Sequence, residues 1–145
     1  MRFVASRPGK LLILAFLCAG AGFTVHSGGA ASPSATHIRV VERDFRITAP
    51  KQVAAGDAIL TVVNKGPDDH ELVVVRANGH RLPLRSDAVT VSEEKLTPVT
   101  TLAVEPGARG SVRTYRLHLR PGYYVLFCNM AGHFMAGMHT TLRVR

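Results

Sequence analysis

The chain has 145 residues, with 18 Lys and Arg against 10 Asp and Glu and a formal charge of +8. That length suits one domain plus a short extension. There is no tryptophan and the arginines are scattered rather than clustered, a pattern that argues against nucleic-acid binding.

The front end separates from the rest by composition. Residues 1–10 carry Arg2, Arg7 and Lys10, residues 11–21 are apolar, and small residues follow at 19–21 and 27–31. A basic start, an apolar centre and a small-residue region predict a secretory signal over 1–30, cleaved between 21 and 31. Residues 31–36 then read as a linker and 37–145 as the domain. The apolar run is shorter than the 18 or more residues of a spanning helix, although Phe23-Thr-Val25 would lengthen it into an uncleaved anchor. Leu17 precedes Cys18 where a lipidated cysteine wants a small residue, so Cys18 and His26 are expected to leave with the leader. The mature chain then has one cysteine and no internal disulfide, in a compartment that would permit one. A lone thiol there is open to oxidation unless something ligates it. Without the three leader cations the charge is about +5, which steers toward an acidic partner or an anionic membrane surface.

Residues 37–47 alternate with period two and shift phase near Val40-Val41, predicting a half-buried strand with a bulge or bend. Ala49-Pro50 breaks it, and Ala55-Gly56-Asp57 is a turn. A β-branched strand is expected over 58–64, then a loop over 65–69. His70 leads into Leu72-Val-Val-Val75, an apolar strand to be buried on both faces. Asn78-Gly79 is a turn signal. Residues 81–98 are the least patterned; Thr90-Val-Ser-Glu93 resembles a capping box and predicts a short helix over 92–96. Strands follow over 100–104, 111–119, 123–127 and 140–144, with turns at Pro106-Gly107 and Arg120-Pro-Gly122. In 111–119, Val112, Thr114, Arg116 and His118 alternate with Arg113, Tyr115, Leu117 and Leu119. About seven short strands between turn signals predict an all-β sandwich, and one domain of that size buries a full core.

One stretch carries the chemistry: Cys128-Asn-Met-Ala-Gly-His133-Phe-Met-Ala-Gly-Met138. It holds a thiolate, an imidazole and a thioether, with Gly132 and Gly137 to turn the backbone. This donor set suits one copper ion: sulfur softness favours Cu(I), imidazole suits both oxidation states, and a weak axial Met completes a trigonal site. A second imidazole must come from elsewhere, and His70 is the best placed donor. Cys and Met are often plain core residues, but the combination of types and spacing exceeds what packing asks for. His37, His80 and His139 read as exposed polar residues and His118 as a satisfied strand residue. Asn64 and Asn129 are candidates for tuning the sulfur from the surrounding shell.

Residues 123–144 resemble the C-terminal end of the cupredoxins, the small blue copper proteins, in which a strand ends in Cys and a tight loop delivers His and then Met. The resemblance extends upstream to the Gly-Pro turn before His70 and covers about 38–145. It implies a Greek-key β-sandwich in which residues 81–98 link the two sheets. It further implies metal ligands His70, Cys128, His133 and Met138, the last favoured over Met135 because it follows Gly137. By the same resemblance His133 is the electron port, within an apolar patch of Ala131, Phe134 and Ala136. Glu71 stands where several members carry Asn after the first His.

The expected function is an exported, periplasmic carrier of single electrons, not an enzyme, because a saturated site leaves no open position for substrate. Its partner would be a redox protein such as a cytochrome or a membrane-bound oxidase or reductase, and the carrier itself a monomer. The alternative is copper trafficking, storage or tolerance with the same ligands. A multicopper enzyme is disfavoured because Phe127 and Asn129, not His, flank Cys128. A Cys–His hydrolase needs an open thiolate, and a zinc site has little use for a thioether.

Overall fold

The computed structural model describes residues 34–77 and 81–145. The expected leader with Cys18 and His26, the start of the linker, the Asn78-Gly79 turn and His80 lie outside the described residues. Among the described residues nine strands are formed: β1 (Thr36–Arg43), β2 (Arg46–Thr48), β3 (Gln52–Val53), β4 (Gly56–Asn64), β5 (His70–Arg76), β6 (Thr100–Gly107), β7 (Val112–Leu119), β8 (Gly122–Phe127) and β9 (His139–Val144). The two short ones aside, seven remain, as expected. They make a four-stranded sheet in the order β2-β1-β4-β7 and a five-stranded sheet in the order β3-β9-β8-β5-β6. Both are mixed: β1 runs parallel to β4, and β3 parallel to β9.

Period-two patterning explains how the sheets pack. Ile38 and Val40 of β1, Leu60 and Val62 of β4, and Leu119 of β7 are buried from one sheet. Leu72 and Val74 of β5, Tyr124 and Leu126 of β8, and Leu142 of β9 meet them from the other in one core. The opposite side of β5 and β8 is apolar too. Val73, Val75, Val125 and Phe127 form a second cluster with Leu82, Val91 and Leu96. The strand expected to be buried on both faces is so buried, and residues 81–98 supply its outer cover.

Several local expectations change. Residues 81–98 do not link the two sheets: they join β5 to β6, neighbours in the same sheet. They lie on its outer face because the apolar side chains there need a lid. The helix is α1 (Glu93–Leu96), with Ser92 as N-cap but no side-chain capping bond. Thr90 turns instead to Asp87, its Oγ1 3.0 Å from Oδ2, so the capping box is not used. β1 keeps its phase through Val40-Val41 and turns Glu42 inward, fully buried. The adjacent apolar pair Val40-Val41 suggests a shift of phase, but Val41 lies on the outer side and Glu42 takes the inward position, where Arg113 Nη2 donates to its Oε2 at 2.7 Å. β6 runs through Pro106-Gly107, and the chain turns at Arg109-Gly110, where Gly110 takes φ +82°.

The outer face of the four-stranded sheet is open and basic. Register places Arg39 beside Thr61 and Thr114, His37 beside Ile59 and Arg116, and Arg43 beside Arg46. These four arginines are exposed.

Candidate metal centre

Three segments meet at the end of the sandwich where β1, β4 and β8 finish and β5 begins. The first is the β1–β2 turn at Asp44-Phe45, the second the 64–70 loop, and the third the hairpin 128–138.

His70 opens β5 and is fully buried. Asn64 builds its loop: Oδ1 accepts the Gly66 N–H at 2.8 Å, and Nδ2 donates to the carbonyls of Asp68 at 2.7 Å and Gly107 at 2.8 Å. His70 Nε2 lies 3.1 Å from Asp44 Oδ1. An acceptor at that distance fixes the tautomer, with the proton on Nε2 and the lone pair on Nδ1. Nδ1 is buried and has no hydrogen-bond partner among the described residues, which makes it an orphaned acceptor that a cation would satisfy. Burial holds the His70 pKa below its usual value, against the pull of Asp44, so the ring is neutral, the form that binds metals. Gly66 makes room for this arrangement. A Cβ there would sit 2.6 Å from Asp44 Oδ1 and 2.8 Å from His70 Nε2.

Cys128 follows β8 directly and is fully buried. Its N–H donates to the Met138 carbonyl at 3.1 Å, closing the hairpin. Inside, the N–H of Met138 donates to the His133 carbonyl at 2.9 Å, that of Ala136 to Gly132 at 2.9 Å, and that of His133 to Met130 at 2.9 Å. Gly132 and Gly137 take φ of +81° and +99°, where a Cβ is strained. Burial pushes the Cys128 thiol up to about 11, although hydrogen bonds from the backbone N–H of Met130 and Glu71 favour the thiolate. A positive ion at the sulfur is what would hold the thiolate at neutral pH. Those two N–H groups occupy the place expected for Asn64 and Asn129. Asn129 faces the other way, pairing with the Val91 backbone at 2.6 and 3.0 Å and so anchoring the 81–98 cover. Glu71 ties the two ligand segments in place of Asn: its N–H reaches the sulfur, and its carboxylate accepts the Asn129 N–H.

The structure brings three of the four expected ligands together. A ring nitrogen of His70, Sγ of Cys128 and a ring nitrogen of His133 all lie within 4.8 Å of one another. Sγ is 3.5 Å from His133 Nδ1, and the two imidazole centroids are 5.2 Å apart. Imidazole, thiolate and imidazole converging on one buried point, with an orphaned lone pair among them, fit a borderline-soft ion such as copper. Met138 is fully buried at the base of the hairpin, while Met135 is 55% exposed and Met130 packs on the core.

His133 is partly exposed. Ala131 and Ala136 are exposed near it, but Phe134 is half-buried and packs against the second core cluster, its ring edge-on to Phe127 at 5.6 Å. Phe45 takes the expected place of Phe134. It is 51% exposed and edge-on to the His133 ring at 5.5 Å. Its φ of +57° is unusual for a bulky residue and sets it over the imidazole. Neither Asp44 nor Phe45 carries a signal in the sequence. His37 is exposed, and His118 pairs with Asp57 at 2.8 Å on the surface. His139 is partly buried rather than exposed, its ring 5.1 Å from that of Phe134.

No family model matches the chain, and no curated sequence matches it. Its fold, however, is that of known proteins. Auracyanin from Roseiflexus castenholzii aligns over 77% of this chain and 98% of its own, at 17% identity and TM-score 0.57. An azurin from Methylomonas sp. strain J aligns over 77% and 99%, at 16% identity and TM-score 0.52. Rusticyanin from Thiobacillus ferrooxidans aligns over 77% and 79%, at 14% identity and TM-score 0.54; rusticyanin is a copper protein. All three are cupredoxins, and the chain has the cupredoxin fold.

Proposed function

We propose that this cupredoxin-fold protein is a type 1 copper protein that carries single electrons between redox partners, and that it is not itself an enzyme. The observation that carries this reading is the convergence of His70, Cys128 and His133, with His70 Nδ1 buried and unpartnered. Copper bound there would supply a Cu(II)/Cu(I) couple. His70, Cys128 and His133 would hold the ion and Met138 would be a fourth, weak ligand, a reading supported by its burial and its two backbone bonds to Cys128 and His133. The chain's own task is rigidity. Two ligand segments pinned to one stiff scaffold leave little to rearrange when the oxidation state changes. The partly exposed His133, framed by Phe45, is the route for the electron.

The basic, small-residue front end supports export to the periplasm, with residues 1–30 as the leader. Among the described residues no helix is long and apolar enough to cross a membrane. A cytochrome or a membrane-bound oxidase or reductase suits as partner. The four arginines on the open sheet face would steer the carrier, as a monomer, toward an anionic one. Met135, exposed on the hairpin, favours a second reading, in which the protein hands over Cu(I) as a trafficking or storage factor. A coloured Cu(II) form with reversible reduction supports the carrier; preferential Cu(I) transfer to an acceptor supports the second. The direct test adds Cu(II) to the wild type and to Cys128→Ser and records the visible spectra. A wild-type complex without an intense sulfur-to-copper band overturns the carrier reading.

A further inference from the structure

A half-buried guanidinium stands behind the candidate centre. Arg113 belongs to β7 in the four-stranded sheet and reaches inward past β4. Its Nη2 donates to Glu42 Oε2 at 2.7 Å and to the His70 carbonyl at 3.2 Å, and its Nη1 donates to the Glu105 carbonyl. One planar fork thus joins a carboxylate of its own sheet to two carbonyls of the other. The second sheet is built to receive it. The pairing of β5 with β6 slips by one residue between His70 and Leu72, which puts Glu105 and Pro106 opposite Glu71 alone and takes the Glu105 carbonyl out of the regular ladder. Gly107, the register partner of His70, leaves the space for the fork: a Cβ there would lie 2.5 Å from Arg113 Cζ and 2.6 Å from Nε.

Stability does not account for this arrangement. Glu42 Oε1 and Arg113 Nε are buried without partners among the described residues. A buried ion pair with such orphans recovers its desolvation cost poorly, and apolar residues of the same volume are often as stable or more so. What the pair does that apolar residues cannot is fix a carbonyl, and the carbonyl it fixes is that of His70. We propose that Arg113, oriented by Glu42, is a positioning residue for the candidate copper centre: it clamps the main chain of His70 from the opposite sheet, while Asp44 orients the ring. This rests on the copper reading above. Lysine would not replace it, because a single ammonium on a flexible stem lacks the planar fork that spans three fixed acceptors.

The test uses the full chain and compares wild type with Arg113→Lys, Gly107→Ala and, as a control on the solvent side of the same strand, Arg116→Lys. Gly107→Ala displaces the guanidinium without removing it and serves if Arg113→Lys does not fold. The measurements are Cu(I) affinity by competition with a chromogenic chelator, the visible spectrum of the Cu(II) form, and the denaturation midpoint of the metal-free protein. Loss of a residue that orients a ligand costs about 10-fold or more in metal affinity. Arg113→Lys and Gly107→Ala should show that loss with an altered visible spectrum, and Arg116→Lys neither. Wild-type affinity and spectrum in both variants, with only the midpoint lowered, make Arg113 a merely structural residue and overturn the inference. A wild type that binds no copper overturns the functional reading instead.

Discussion

The two segments that carry the ligands are held in opposite ways. The hairpin 128–138 closes mainly on itself: backbone hydrogen bonds among its own residues shape its turn, with glycines at the two positions of positive φ, and its first residues alone are tied to Glu71 and Val91. The 64–70 loop is shaped within by Asn64, but its histidine is held by side chains from afar. The Asp44–His70 contact spans 26 residues of sequence, the Arg113–His70 bond 43, and the Arg113–Glu42 pair 71. A ligand set can therefore join one piece encoded locally to one that exists only once the fold has formed.

Perturbing each piece separately should break the symmetry of their contributions. Removing the shared sulfur has the largest effect: Cys128→Ser should abolish the visible copper band, read by absorption. Gly66→Ala comes next, because its Cβ would displace the Asp44–His70 hydrogen bond; copper affinity should fall about 10- to 100-fold in a chelator competition. Gly132→Ala in the hairpin meets nothing within 4 Å. It should cost about 1–2 kcal/mol from backbone strain alone, with copper affinity close to wild type. An affinity loss as large as that of Gly66→Ala would refute the contrast.

A pH experiment addresses the remote support alone. Burial raises Glu42 from 4.5 to about 7 despite the opposing pull of Arg113. The folded protein then binds that proton more tightly than the unfolded chain does. Its stability should decline as pH rises from about 4.5 to 7, by at most about 1.4 kcal/mol per pH unit, and level off above. Denaturant midpoints at pH 5 and 8 measure this, and Glu42→Gln should flatten the slope. The smallest effect is on encounter: added salt should slow electron transfer to an anionic partner, and reversing Arg39 and Arg116 to Glu should remove that dependence without changing the copper spectrum.

The same contrast explains what could be read from the residues in order. The long strands show themselves by period two or, for β5 and β8, by a continuous apolar run, and the hairpin by putting donors and turn glycines within one segment. His70 is legible as a histidine beside a Gly-Pro turn. The residues around it are not. Asp44 looks like an ordinary turn residue, Glu42 like a break in an apolar strand, and Arg113 like one more member of an alternating row. Their roles come from register between strands far apart in sequence. The 81–98 cover was misplaced for a similar reason: Leu82, Val91 and Leu96 share no period, and only the apolar outer face of β5 and β8 shows what they are for.

That cover has a kinetic corollary. β5 and β8 are sealed on both sides, so amides such as those of Val74 and Val125 are expected to exchange with solvent deuterium only when the whole molecule opens. His70 begins one of these strands and Cys128 follows the other, so the two residues are rooted in the slowest-breathing part of the protein. An ion lodged between them would escape through fluctuations of the hairpin rim around His133, leaving the sheet beneath intact.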